Sequence, residues 1–243
     1  MIARLSFVIP ALNEAQCISA AMDSIHSAMI RCDTQLSYEI IVVDDGSLDR
    51  TVDIARQHRA RVVEVYKRNI AAVRNAGASE AQGQFLIFVD ADTQVNHSLI
   101  DETMYAMMQG AMWGTALAVP SDRCPFWARL GLTLFNQYYV HWRKCAYGFF
   151  FFVNRQAFQQ AGGFPEETRE GEDMALSKLL LPLHGPPIVL RSRVATSGRK
   201  ALQFGFSYHV RMLWLAVRFG DEVYTRPEIA DYRDGDLRAG RPR

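Results

Sequence analysis

The chain alternates short β-rich apolar runs with segments of helical spacing, and two of those runs end in aspartate. The runs are LSFVI (5–9), EIIVVD (39–44), RVVEV (61–65) and FLIFVD (85–90). Near-continuous apolar strands separated by helices suit a mostly parallel sheet covered on both faces. The first hundred residues are therefore expected to form repeated β-α units of an α/β fold. Ligands of open α/β sheets sit beyond the carboxyl ends of the strands, so Asp44, Asp45 and Asp90 are expected to gather on one edge. AMWGTALAV (111–119), YGFFFFV (147–153) and PIVLRSRVA (187–195) read as later strands.

Composition narrows the partners. With 243 residues, 49% of them hydrophobic, the chain can bury a sizeable core, and a formal net charge of +1 gives no basic field for nucleic acid. Cys17, Cys32, Cys124 and Cys145 contain no CxxC pair and read as reduced thiols, and the opening residues carry no secretory pattern, so a cytoplasmic location is expected. The charge-free run 103–121 is interrupted by Gln109, Gly110 and Gly114 and does not read as a membrane span. DYRDGDLRAGRPR (231–243) has no apolar period and is expected to be mobile.

Four constellations could carry chemistry. In VVDDGSLDRT (42–51), Gly46 permits a tight turn, Ser47 is placed to cap the next helix, and Asp44 or Asp45 could accept hydrogen bonds from a base or ribose. In KRNIAAVRNAGASEAQG (67–83), Arg68, Arg74 and Asn75 surround a helix start; taken alone they read as a solvated basic face, with phosphate recognition as the alternative. In FLIFVDADTQV (85–95), Asp90 and Asp92 share a side if the strand continues, and two hard oxygen ligands favour Mg or Mn. A DxDx[TV] phosphatase nucleophile is a poorer match, because Thr93 comes one place early and Gln94 stands where Thr or Val is expected. Finally, Glu172 and Asp173 in REGEDMALSKLLL (169–181) could complement a helix dipole or supply a general base.

Together these pieces resemble family 2 glycosyltransferases of the GT-A fold. The matching residues are SFVIPALNE (6–14), VVDDGSLDRT (42–51), RNIAAVRNAGA (68–78), FVDADT (88–93), FFFFVNRQAFQQAGGF (149–164) and EGED (170–173). The resemblance implies a Rossmann-like, mostly parallel central sheet flanked by helices. It also implies one domain over 1–230, with a nucleotide-sugar-binding half at 1–95 and an acceptor-side half at 96–230. The implied donor is a nucleotide-diphosphosugar, with a UDP-sugar expected. By the same resemblance Pro10, Leu12, Glu14, Asp44 and Asp45 line the base and ribose, Arg74 approaches the diphosphate, and Asp90 faces the ribose or metal. Asp92 is the principal ligand of a divalent Mg or Mn ion, and Asp173 is the base of an inverting transfer. A non-catalytic nucleotide-sugar-binding or scaffold protein of the same fold is the alternative.

The acceptor side departs from the family pattern. Lys178 stands where an arginine often follows the acidic pair, and a lysine loses the bidentate fork. Glu172 and Arg199 are candidate acceptor or phosphate contacts, Arg199 with Ser197 and Lys200 in RVATSGRK, and His184 and His209 are candidates for a third metal ligand. Two aromatic-basic segments, CPFWARLGLTLFNQYYVHWRK (124–144) and FGFSYHVRMLWLAVRFG (204–220), suit either a core-covering helix or a helix at the cytoplasmic membrane surface. The second would favour a lipid-linked acceptor; a glycan or a small molecule is the other possibility.

Overall fold

The computed structural model describes residues 4–32, 37–120, 125–168, 171–196 and residue 218. Its strands are β1 (Arg4–Ala11), β2 (Ser37–Asp44), β3 (Arg61–Glu64), β4 (Phe85–Val89), β5 (Thr93–Gln94), β6 (Trp113–Pro120), β7 (Phe150–Asn154) and β8 (Ile188–Thr196). They form a single sheet in the order β3-β2-β1-β4-β7-β6-β8-β5. β1, β2, β3 and β4 pair in parallel; β7 runs antiparallel to β4 and β6, and β8 returns parallel to β6. The mostly parallel sheet expected from the first hundred residues is present.

Alternation along each strand divides the core. Leu5, Phe7, Ile9, Ile40, Val42, Ile87 and Phe152 face one side, while Val8, Ile41, Val43, Leu86, Phe88, Phe151 and Val153 face the other. All fourteen are at most 5% exposed, so both faces of these strands are dry. That is why the runs read as continuous apolar sequence instead of alternating with polar residues.

Helices cover the two faces. On the first lie α1 (Ile18–Arg31), which buries Ile18, Met22, Ile25 and Met29 at helical intervals, and α4 (His97–Met108). α2 (Thr51–Gln57) links β2 to β3. On the second lie α3 (Ile70–Glu80) and α7 (Glu172–His184), the latter through Leu176 and Leu180. α3 and α4 start where Asn69 and Asn96 accept the amides of Ala72 and Leu99, each at 2.9 Å. α5 (Phe126–Asn136) runs on into a π-helical segment, Gln137–Trp142, and α6 (Arg155–Gln160) follows β7 directly. Among the described residues, no helix is long and apolar enough to cross a membrane.

Segment 204–220 and the tail 231–243 lie outside the described residues, Arg218 excepted. Cys17, Cys32 and Cys145 form no disulfide among the described residues.

Candidate active site

The strand order places β2 on one side of β1 and β4 on the other, so the chain reverses direction across the sheet beside β1. Beyond the carboxyl ends of such strands lies the usual ligand crevice. The loop after β1 is held to the loop after β2 by side chains. The Asn13 and Glu14 amides donate to Ser47 Oγ (2.8 Å) and Thr51 Oγ1 (2.9 Å), and the Leu48 amide donates to Asn13 Oδ1 (2.8 Å). Ser47 therefore does not cap α2, which starts at Thr51 without a side-chain cap; its hydroxyl is taken by the neighbouring loop. Asn13 sits at φ 56°, a left-handed conformation that asparagine tolerates better than most residues.

The two acids after β2 have different surroundings, although both are buried. Asp45 accepts the Lys67 amide at 2.6 Å and the Arg68 amide at 2.9 Å, anchoring the chain that leads into α3. Asp44 Oδ2 accepts the Gly46 and Ser47 amides, but its Oδ1 is buried with no hydrogen-bond partner. An unpartnered buried carboxylate oxygen is costly on its own and fits a ligand hydroxyl or N–H. Pro10 is buried opposite Val43, with Leu12 and Glu14 half-buried in the loop beyond.

Arg74 is no part of a solvated face. It is 3% exposed, with Nη1 2.5 Å from Glu172 Oε1 and Nη2 2.8 Å from Asp90 Oδ1. Burial works against its charge, but Glu172, Asp90 and Asp173 outweigh that, so the guanidinium is held above its ordinary pKa. Both terminal nitrogens of Arg74 meet carboxylates, while its buried Nε has no hydrogen-bond partner. Arg68 lies instead over the Tyr66 ring, 4.6 Å from its centroid.

Glu172 and Asp173 occupy the first turn of α7, entered through Gly171 at φ 70°. Asp173 Oδ2 accepts the Gly148 amide at 2.7 Å. Burial and the adjacent Glu172 push the Asp173 carboxyl up to about 7, against Arg74 and the amides of Gly148 and Met174, which pull it down. A half-buried carboxyl poised near neutrality has the acid-base character required of a general base.

The expectation that Asp90 and Asp92 project together from a continuing strand is corrected. β4 ends at Val89, and a turn closed by the Thr93 amide on the Asp90 carbonyl (3.0 Å) carries both residues. Asp90 turns to Arg74, while Asp92 Oδ1 lies 3.4 Å from Thr93 Oγ1 and 3.5 Å from Thr196 Oγ1. Among the described residues no three His, Cys, Asp or Glu side chains converge as a metal cage. Two carboxylates from one turn nonetheless fit a hard divalent ion that completes its shell with water and substrate phosphate. His184 is at the opposite end of α7, roughly 16–17 Å from Asp173 at 1.5 Å of rise per residue. That separation removes it from the acidic cluster. Ser197, Arg199, Lys200 and His209 lie outside the described residues.

Ser177 and Gly148, not singled out in the sequence, also belong to the site, and Asn75, named there beside Arg74, has a structural part. Ser177 Oγ donates to the Asp173 carbonyl (2.7 Å) and accepts the Ala146 amide (2.9 Å). Asn75 brackets Phe164, donating to its carbonyl and accepting its amide, both at 2.9 Å. A glycine just before the strand at 150–154 was the available signal for Gly148.

Residues 6–162 match the family model described as Glycosyl transferase family 2. The chain belongs to that family. In this family 2 domain the matched stretch runs from β1 to the end of α6, so it holds Asp44, Arg74, Asp90, Asp92 and Gly148 but stops short of Glu172 and Asp173. The uncharacterised glycosyltransferase YibD of Escherichia coli (strain K12) is 26% identical over 166 residues, which are 57% of this chain and 47% of that protein. The chain thus spans about half the length of that relative. Two solved structures share the fold. The mannosyltransferase PcManGT from Pyrobaculum calidifontis, in complex with GDP-Man and Mn2+, superposes with a TM-score of 0.68 at 17% identity, covering 97% of this chain and 69% of that one. S. aureus TarS 1–349 in complex with UDP-GlcNAc gives 0.64 at 19% identity, covering 88% and 66%. The fold is the GT-A fold of glycosyltransferases.

Proposed function

We propose that this chain transfers a sugar from a nucleotide-diphosphosugar, a UDP-sugar by preference, to an acceptor hydroxyl with inversion, assisted by Mg or Mn. The observation that carries the reading is the Asp173 carboxyl. It is held by a backbone amide and joined through Glu172 and Arg74 to the Asp90 turn at the end of β4.

The roles follow from the surroundings. Asp44 Oδ1 accepts from the ribose or base of the donor, beside Pro10, Leu12 and Glu14, while Asp45 holds the loop that carries Arg68. Arg74 fixes Asp90 and Glu172 through its two terminal nitrogens and supports the diphosphate end of the donor site beside Asp90. Asp173 takes the proton of the acceptor hydroxyl as that oxygen attacks the anomeric carbon from the face opposite the diphosphate. Asp92, with Asp90, would hold the divalent ion, which when bound neutralises charge on the departing diphosphate.

A lipid-linked acceptor at a membrane surface is the finer reading, supported by the outer face of α5. Phe126, Leu130 and Leu134 recur every four residues, all exposed, and Trp142 is 77% exposed beyond them. Arg129 and Lys144 are exposed nearby, and apolar side chains rimmed by cations suit anionic lipid headgroups. Sedimentation with anionic liposomes tests this, and recovery of all the protein in the supernatant counts against it.

The donor reading is tested by thermal shift with UDP, GDP and their sugars, with and without Mn2+. A shift confined to one nucleotide class and dependent on the ion supports it, and slow hydrolysis of that donor identifies an active site. Tight binding with no turnover over many acceptors would favour the non-catalytic alternative, and no shift with any nucleotide would overturn both.

A further inference from the structure

Residues 145–149 approach β7 without regular structure, yet three successive amides in this segment donate to side chains. Ala146 donates to Ser177 Oγ at 2.9 Å, Tyr147 to Thr115 Oγ1 at 3.2 Å and Gly148 to Asp173 Oδ2 at 2.7 Å. The Ser177 hydroxyl returns to the Asp173 carbonyl, so the loop grips the first turns of α7 at two points. The Arg74 guanidinium lies directly against position 148. A Cβ there would fall 2.2 Å from Nη2 and 2.8 Å from both Cζ and Nη1.

A flexible arginine tip could usually move aside. This one cannot do so cheaply, because it is buried between Glu172 and Asp90, and displacing it breaks an ion pair out of contact with water. We infer that Gly148 is a positioning residue for the transfer. The missing side chain lets one amide reach the Asp173 carboxylate while the guanidinium packs flush on the same backbone. Base, clamp and Asp90 turn are thereby held in one arrangement. The inference rests on the reading of Asp173 as the base, and it assigns Gly148 to the geometry of the reaction, not to donor affinity.

The Gly148→Ala substitution forces either Arg74 out of its clamp or the amide away from Asp173. Misplacing a reacting group by about 1 Å can cost on the order of 100-fold in rate. Replacing Arg74 with lysine removes the fork that a Cβ would strike, so Arg74→Lys should partly rescue Gly148→Ala. The two losses would then be coupled instead of multiplying.

The test uses the full chain and Mn2+-supported hydrolysis of UDP-glucose, UDP-GlcNAc and GDP-mannose. Rates are compared for wild type, Gly148→Ala, Arg74→Lys, the double variant and Asp173→Asn. For Gly148→Ala the expected result is a kcat lowered about 10- to 100-fold, with donor KM and the melting shift produced by UDP and Mn2+ retained. The double variant should lose less than the product of the single losses. An unchanged kcat, a loss confined to KM, or strictly multiplicative losses would each overturn the inference while leaving the base in place. Wild-type turnover by Asp173→Asn, or no hydrolysis by the wild type, would remove the underlying reading and the inference with it. If Gly148→Ala does not fold, Ser177→Ala loosens the same loop without adding an atom. It must then lower kcat with KM retained, and an unchanged kcat refutes the proposal.

Discussion

Arg74 and Glu172 form a buried ion pair between the helices α3 and α7, at 2.5 Å and 98 positions apart in the chain. With Asp90 on the other nitrogen, one cation neutralises two carboxylates and faces a third, Asp173. Removing Arg74 would leave Glu172 buried and unpaired. Arg74→Ala is expected to cost about 3–5 kcal/mol of stability, measured by urea unfolding; a cost below about 1 kcal/mol, as for an exposed pair, would contradict the clamp.

Asp173 must be deprotonated to accept the acceptor's proton, and its carboxyl stands at about 7 in the folded protein. Turnover is therefore expected to rise with pH through neutrality and level above it. Asp173→Asn should lower kcat by about 10²- to 10⁴-fold above neutrality, with the difference shrinking as pH falls and wild type loses its base, while leaving the UDP-induced melting shift intact. A flat profile from pH 5 to 8 would exclude this residue as the base.

The same shift has a stability consequence of fixed sign. A carboxyl whose folded pKa is raised from 3.8 to about 7 binds its proton more tightly folded than unfolded, so its contribution to stability is lost as pH climbs through that window. Asparagine stays neutral throughout. Asp173→Asn should melt above wild type at pH 8 and no higher than wild type near pH 4, and an equal difference at both pH values would refute the assignment.

Asp92 reads as the donor-side ligand for the divalent ion. Wild type with UDP and Mn2+ at about 100 times Kd should gain about 2.7 kcal/mol, seen as a raised melting temperature. Asp92→Ala is expected to abolish the Mn2+-dependent part of that gain and leave the ligand-free melting point close to wild type. A full Mn2+-dependent shift in the variant would move the ion elsewhere.

Asn75 ties α3 to the segment that leads into α7, holding both the amide and the carbonyl of buried Phe164. Asn75→Ala leaves both groups without that partner and should cost about 1–3 kcal/mol, measured by equilibrium unfolding. A loss within error of zero would mean that water replaces the side chain.

Much of the parallel half was legible because its signals are local. Strands dry on both faces must be apolar at every position, so the runs ending at Asp44 and Val89 are readable from composition alone. The acidic edge follows, since parallel strands present their carboxyl ends together. Ser47 was misassigned for the opposite reason: its spacing suited a helix cap, but its hydroxyl is taken by Asn13, 34 positions earlier. The basic character of Arg74 was visible, but its burial was not, because neither carboxylate that holds it is a helical neighbour.

By itself the sequence determined the element types, the parallel half of the sheet and the family, which depend on apolar period, turn chemistry and ordered motifs. Only the tertiary structure decided that Arg74 clamps Asp90 to Glu172, that Asp45 serves the backbone while Asp44 keeps an unpartnered oxygen, and that Gly148 meets Asp173. Local spacing governs which residues share a face over a turn or two. Contacts 16, 25 and 98 positions apart are set by strand register and helix docking, and these are fixed only when the two faces of the core close.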